Sequence, residues 1–366
     1  MKRRPIRRVL GLAGVAGLVL GLGAASATLA ITARHLLTTP QPLDSGLPGA
    51  GRIDRKHGGE LYYTVAGPED APPLVLLHDF YPGASNYEYR GLFPRLTTTY
   101  RVYALDWLGW GMSERPAVAY TGEFYAATLR GFLRDVVGQP ALVVAHGHAA
   151  GAAVRAASDA PELFRRLVLV APTLTLDGDH APTPGQTAAR LAQRLWLGTI
   201  PYAFLTARFA LRRQEARRAA NGGGDVSHET LDHLYASSHQ FGGAHALSAL
   251  LSGELDLPIG NAFALLEPPV LVVVGERDAQ RPSDAMQELT ALNPDATLVV
   301  LPNAGESLVE DEPFQLAERL VRWEGREIAS HPVAAALAQP APHDDATLRD
   351  EDVADVADVD DAAERP

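Results

Sequence analysis

Residues Ala141 to Ala153 read ALVVAHGHAAGAA. Four apolar residues, Ala141 to Val144, suit a buried strand, and the small residues from Ala149 onward suit a closely packed helix, so a sharp strand-to-helix turn is expected between them. A turn of this kind lifts one side chain to the top of a sheet while neighbouring N–H groups face the place where an oxyanion would form. Two registers fit its small-x-nucleophile-x-small pattern. One runs Ala145, His146, Gly147, His148, Ala149; the other runs Gly147, His148, Ala149, Ala150, Gly151. Neither centre is Ser, Cys or Asp.

Outward from this turn, short apolar runs alternate with helical segments. They begin at Leu61, Leu74, Val102, Ala141, Leu167, Val270 and Thr297. The later runs are apolar on both faces, as strands covered by helices must be. The pattern predicts an α/β protein with a mostly parallel central sheet flanked by helices. Between Pro172 and Leu266 the alternation gives way to helical pieces. A helical cap over residues 172–266 is therefore expected, inserted into a core of residues 52–171 and 267–328, with a flexible joint at Asn221-Gly222-Gly223-Gly224.

Five ordered segments carry a family resemblance: LVLLHDFYPGASNYEYRGLFPRL from Leu74, ALDWLGWGMSERP from Ala104, the stretch from Pro140 to Pro172, VLVVVGERDAQRP from Val270, and LPNAGESLVEDEPFQLAERLVRW from Leu301. Residues 57 to about 325 resemble an α/β-hydrolase with a helical cap. The second segment is similar to that family's D-x-x-G-x-G-x-S through Asp106, Gly109, Gly111 and Ser113. The resemblance also implies a register at the turn, because Pro140 and Pro161 lie seven residues before and fourteen after Gly147. Gly147 is then the nucleophile position, with Ala149 the competing frame.

Hydrolysis on this fold uses a nucleophile, an acid after a late strand and a histidine near the end, in that chain order. The resemblance places Asp278 at the acid and Glu306, in Asn303-Ala304-Gly305-Glu306, at the histidine. Gly147 has no group to deprotonate, and a carboxylate at 306 beside Asp278 should repel it, raising a pKa or recruiting a cation. Asp79, beside His78 where the family has glycine, adds negative charge near the oxyanion region. The equivalents Gly147, Asp278 and Glu306 thus form no intact triad. His78, Asp79, His148 and Trp107 are expected around the pocket and oxyanion region.

Other chemistries draw on other residues. His146 and His148, with His78, Asp278 or Glu306, have the ligand types for zinc or iron, but adjacent strand residues face opposite ways, so no metal and no cofactor are expected. Ser113 is a displaced-nucleophile candidate, set against a structural role in its loop. Of the cap histidines His228, His233, His239 and His245, the latter pair could reach the pocket. Trp107, Trp110, Trp196 and Tyr202 either line an apolar pocket or pack the core.

The chain has 366 residues, 46% of them hydrophobic, a formal net charge of -12 and no cysteine. It can bury a substantial core, and it has neither disulfides nor a thiol nucleophile. Residues 1–8 carry five basic groups, followed by an uncharged run from Val9 to Ala33 long enough to span a bilayer. Residues 1–37 read as a membrane anchor or, with Ala25-Ser26-Ala27 as a cleavage site, as a secretory signal. Either places the globular part outside the cytoplasm. Residues 38–51 read as a linker, and 329–366 as a disordered acidic tail. No basic patch invites nucleic acid. The expected role is binding of a small apolar ligand under the cap, or of a protein partner. The alternatives are hydrolysis of small esters by a non-standard site and a membrane scaffold.

Overall fold

The computed structural model describes residues 40–176, 182–194, 199–222, 227–278, 281 and 283–325. The N-terminal apolar segment, the acidic tail and Trp196 lie outside these residues. Among the described residues, no helix is long and apolar enough to cross a membrane.

Eight strands form one sheet: β1 (Ala50–Asp54), β2 (Leu61–Ala66), β3 (Pro73–Leu77), β4 (Arg101–Leu105), β5 (Ala141–His146), β6 (Phe164–Val170), β7 (Val270–Gly275) and β8 (Ala296–Leu301). Their spatial order is β1-β2-β4-β3-β5-β6-β7-β8. β1 and β2, and β2 and β4, pair antiparallel; the remaining neighbours are parallel. The chain is therefore an α/β-hydrolase fold. One boundary differs from expectation. The linker predicted to run to Gly51 ends earlier, because Ala50 and Gly51 pair with Val65 and Thr64 as the edge strand, and Leu47 is buried against the core.

The parallel strands are covered on both faces, so successive residues enter different cores. Val75, Leu77, Val143, Ala145, Leu167 and Leu169 point to one side. Leu74, Leu76, Leu142, Val144, Val168 and Val170 point to the other. This period of two explains why the strand sequences are continuously apolar.

Chain order reverses between β3 and β5. The connection from β3 leads to β4 on one side, while β5 and β6 lie on the other. Loops leaving the carboxyl ends of two such strands diverge, and the crevice between them is where open α/β sheets bind ligands. The register Leu77↔Ala145 sets the residues that follow, His78-Asp79 and His146-Gly147, side by side at that crevice.

Helices flanking the sheet include α1 (Phe93–Leu96), α2 (Gly122–Phe132) and α3 (Ala149–Asp159), with Ser283–Ala291 and Pro313–Trp323 after the insertion. The insertion between β6 and β7 is helical in its described residues: α4 (Pro184–Arg194), α5 (Thr199–Leu205), α6 (Arg208–Gly222), α7 (His228–Ser238), α8 (Ala244–Ser252) and α9 (Gly260–Ala264). A single parallel bridge, Thr175↔Pro258, ties its entry to its exit.

Leu76 is wholly buried in the central strand, whereas Val300 on edge strand β8 is exposed. Leu76→Ala should cost about 2–5 kcal/mol in urea denaturation. Val300→Ala should cost at most about 1 kcal/mol.

Candidate functional site

The turn after β5 is built from the backbone. Gly147 adopts φ +58°, a left-handed conformation that glycine enters without penalty. Its N–H donates to Val170 O (3.0 Å), and its carbonyl accepts from Thr173 N (2.9 Å) and Ala150 N (3.3 Å). His148 caps α3, so Ala149 is already helical and Gly147 is the residue at the bend.

The space above that bend is filled from the neighbouring strand. A β-carbon at position 147 would lie 2.1 Å from Asp79 Cγ and 2.2–2.3 Å from both carboxylate oxygens. The Asp79 carboxylate therefore occupies the place a side chain at 147 would take. It also takes both hydrogen-bond donors there. Phe80 N–H and His148 N–H each donate to Asp79 Oδ1 at 2.7 Å. One belongs to the loop after β3 and the other to the residue following the bend, the two sources from which this architecture makes its oxyanion hole. His148 Nδ1 lies 3.0 Å from the same oxygen. Burial opposes charge on Asp79, but the His148 imidazole and its hydrogen bonds prevail and hold the carboxyl well below its usual range. In return Asp79 lifts His148 above its ordinary 6.5, against the effect of burial.

A second histidine–carboxylate pair lies behind the first. Glu88, buried in the 3₁₀ segment Asn86–Arg90, faces His146 Nδ1 at 3.1 Å and accepts the Asp79 N–H at 3.2 Å. Burial raises the Glu88 carboxyl, and Glu88 raises His146 against that residue's own burial. His78 behaves differently. Its Nδ1 lies 2.7 Å from Asp79 O and its Nε2 accepts the Trp107 N–H at 3.2 Å, which defines a neutral imidazole with the proton on Nδ1. Burial pushes it down to about 4.

Trp107, expected at the pocket, lies elsewhere, and Trp110, Tyr202, Ser113 and the cap histidines take the packing or structural alternatives weighed for them. Trp107 is wholly buried behind the crevice, its indole N–H donating to His78 O (3.1 Å) and its ring packed on Phe80 and Tyr125. Trp110 is likewise in the core, donating to Tyr125 Oη (2.9 Å). Tyr202 is buried with its hydroxyl donating to Ser238 O. The rings are needed to fill the core, so they do not wall the cavity. Ser113 is a structural residue. Its hydroxyl donates to Asp106 O (2.6 Å) and accepts the Tyr62 N–H (2.8 Å), which spends it on holding the loop. His233 is stacked on Tyr87 and His239 on Tyr235, and His245 is exposed; none borders the cavity.

Asp278 follows β7 and is buried. Arg281 N–H donates to its Oδ1 (3.2 Å), and the Arg281 guanidinium pairs with its Oδ2 (3.1 Å). The same guanidinium donates to Pro172 O and Thr173 Oγ1. A fixed cation is thus supplied to the acid from three residues further along. Glu306 is half-buried and borders the cavity together with Arg281 and His148. Among the described residues, no group of three His, Cys, Asp or Glu side chains is arranged to hold a metal ion.

A cavity of about 860 Å³ lies between this crevice and the cap. The sheet side contributes Asp79, Tyr81, His146, His148 and Glu306. The cap side contributes Phe204, Leu205 and Phe209, then Arg213, Arg217 and Arg218. The cap side thus combines apolar side chains with three arginines, where sequence led to the expectation of an apolar pocket. Arg218 stacks on the Tyr81 ring (4.2 Å) and pairs with Glu215 and Glu310. Glu88, Arg281 and the α6 arginines went unnoticed in sequence. The only signal was five arginines against one glutamate in α6.

The model of the alpha/beta hydrolase family matches residues 74–319. The chain belongs to the alpha/beta hydrolase family. Among relatives of this hydrolase-fold chain, a haloalkane dehalogenase of Mycobacterium marinum is 26% identical over 72% of the chain and 88% of the relative. A 2-(acetamidomethylene)succinate hydrolase of Mesorhizobium japonicum is 25% identical over 70% of the chain and 88% of the relative. Among solved structures, a serine hydrolase involved in carbazole degradation superposes with a TM-score of 0.62 at 19% identity, covering 76% of this chain and 99% of the other.

The contact between Asp79 and position 147 generates two predictions. Gly147→Ser should destabilise the protein by about 1–3 kcal/mol because the carboxylate must move. In an Asp79→Gly background that penalty should shrink, a coupling read by a double-mutant cycle in urea. The Asp79–His148 pair also gives stability a pH dependence. A raised His148 contributes fully below its ordinary 6.5 and loses the contribution as pH rises through the higher folded value. A depressed Asp79 contributes above its ordinary 3.8 and loses it only on strong acidification. Asp79→Asn should therefore cost more stability at pH 5.5 than at pH 9; equal costs would contradict the pair.

Proposed function

We propose that this hydrolase-fold chain binds a small molecule in the cavity beneath its cap and performs no covalent acyl transfer at the β5 turn. One observation carries the reading: the Asp79 carboxylate holds the place of a nucleophile at 147 and accepts both N–H groups that would stabilise an oxyanion. A tetrahedral oxyanion formed there would meet a second negative charge and no free donor, the reverse of what acyl transfer needs. Glu306 at the late position and Arg281 on Asp278 support the same reading, since neither provides an imidazole for proton transfer. The Val9–Ala33 run further supports a globular part held outside the cytoplasm by an anchor or delivered there by a signal.

A second reading rests on the other oxygen of Asp79. All three hydrogen bonds to the carboxylate fall on Oδ1, leaving Oδ2 without one among the described residues, on a side chain that borders the cavity. An ionised carboxylate so held can attack a substrate carbon. Oδ2 would form an ester with an alkyl carbon, or a mixed anhydride with an acyl carbon, as the leaving group departs with the bonding pair, and water would then cleave that intermediate, releasing the alcohol or acid product and a proton and regenerating Asp79.

Activated esters of several chain lengths decide between these readings. The full chain should show no turnover above buffer, whereas Asp79→Gly, Gly147→Ser and Glu306→His combined should gain measurable turnover. Turnover by the unmodified chain that Asp79→Asn abolishes, with an alkyl or acyl adduct on Asp79 in mass spectra, would establish the second reading instead.

A further inference from the structure

Among the described residues, the charges around the cavity are paired with two exceptions. His148 faces Asp79, His146 faces Glu88, Arg281 is held by Asp278, and Arg218 is shared between Glu215 and Glu310. Glu306 also has an interaction of its own. Arg213 and Arg217 border the same cavity, are exposed, and make no ion pair or side-chain hydrogen bond among the described residues. They stand four residues apart on α6, where like charges repel and weaken the helix. Among the described residues no carboxylate pairs with them, in a chain whose net charge is -12.

The same wall has an apolar end. Phe209 precedes Arg213 by one helical turn, and Phe204 of α5 packs edge-to-face on it with ring centroids 5.1 Å apart. Both rings are about half exposed, at 50% and 53%, and both border the cavity. Phe209, Arg213 and Arg217 follow one another at intervals of four residues, so they line one face of α6. At 1.5 Å per residue, the distance from Phe209 to Arg217 along the helix is about 12 Å. One wall thus offers half-exposed aromatic surface and, a turn or two further on, two guanidinium forks without partners among the described residues. Guanidinium groups recognise carboxylate and phosphate oxygens through paired N–H donors.

We infer that the cavity takes a free amphiphilic anion, with its carboxylate or phosphate head on Arg213 and Arg217 and its apolar body against Phe204 and Phe209. The inference rests on the ligand-binding reading above and names the ligand's chemical class. It adds an anionic head to the small apolar ligand expected from sequence, because an uncharged ligand would leave both guanidiniums as they are and gain nothing from them.

Titration calorimetry of the full chain with decanoate and with 1-decanol, each below its aggregation limit, tests it. Decanoate should bind at least tenfold more tightly than decanol. R213Q/R217Q should lose at least tenfold in decanoate affinity while leaving decanol unchanged, and its thermal unfolding should show that the variant folds. Decanoate binding should also weaken as salt is raised. Decanol binding as tightly as decanoate, or undiminished decanoate binding by R213Q/R217Q, would overturn the anion assignment and leave a ligand cavity standing. If neither compound binds, the inference and the binding reading fall together. Sedimentation with anionic phosphatidylglycerol vesicles, lost in R213Q/R217Q and unaccompanied by decanoate binding, would assign these arginines to a membrane surface and overturn the proposal.

Discussion

The arrangement at the head of the sheet depends on one carboxylate oxygen receiving two backbone N–H groups. Asp79 Oδ1 joins the end of β3 to the first turn of α3, and the missing side chain at Gly147 makes room for it. Each feature requires the other. A side chain at 147 would collide with the carboxylate, and an apolar residue at 79 would leave two N–H donors facing a vacated polar space. The hydrogen bonds form because β3 and β5 are adjacent and in register, so residues 79 and 147, far apart in the chain, emerge side by side. What would serve oxyanion stabilisation elsewhere serves here to hold an internal anion.

The charges behind that contact follow from the same economy. A buried carboxylate is costly unless paired and hydrogen-bonded. Asp79 is paired with His148, Glu88 with His146, and Asp278 with Arg281. Removing a single partner would strand a charge, so these residues behave as a unit. His78 lies among them but remains neutral, because its two ring nitrogens are committed to one carbonyl and one N–H. Three neighbouring imidazoles therefore have three different roles, set by their partners and not by their position in the chain.

How much of this was legible in sequence can be judged residue by residue. Continuously apolar strands, the small residues after His148, and the break in alternation between Pro172 and Leu266 all report local requirements, and each led to the corresponding element. Gly147 and Glu306 were visible as departures from a resemblance. Asp79 was visible as a negative charge, but not as the occupant of the space above Gly147, since that depends on strand order and register. Trp107 was expected at the pocket, whereas Ser113 takes the structural role weighed for it: aromatic rings and hydroxyls suit both sites and cores, and only packing assigns Trp107 to His78 O and Ser113 to Asp106 O.

The amino-acid sequence by itself determined the period-two burial of the strands, the sharp turn at residues 146–149 and the lack of a nucleophile there, because each is set by side chains a few positions apart. Tertiary structure alone decided which groups meet at that turn. Asp79 filling the space above Gly147, Arg281 reaching Pro172 O and Thr173 Oγ1, and the α6 arginines facing the cavity all join segments distant in sequence. These juxtapositions exist only once the strands are ordered side by side and the cap lies over them, and hydrogen bonds such as those of Asp79 and Arg281 form only at separations of about 3 Å.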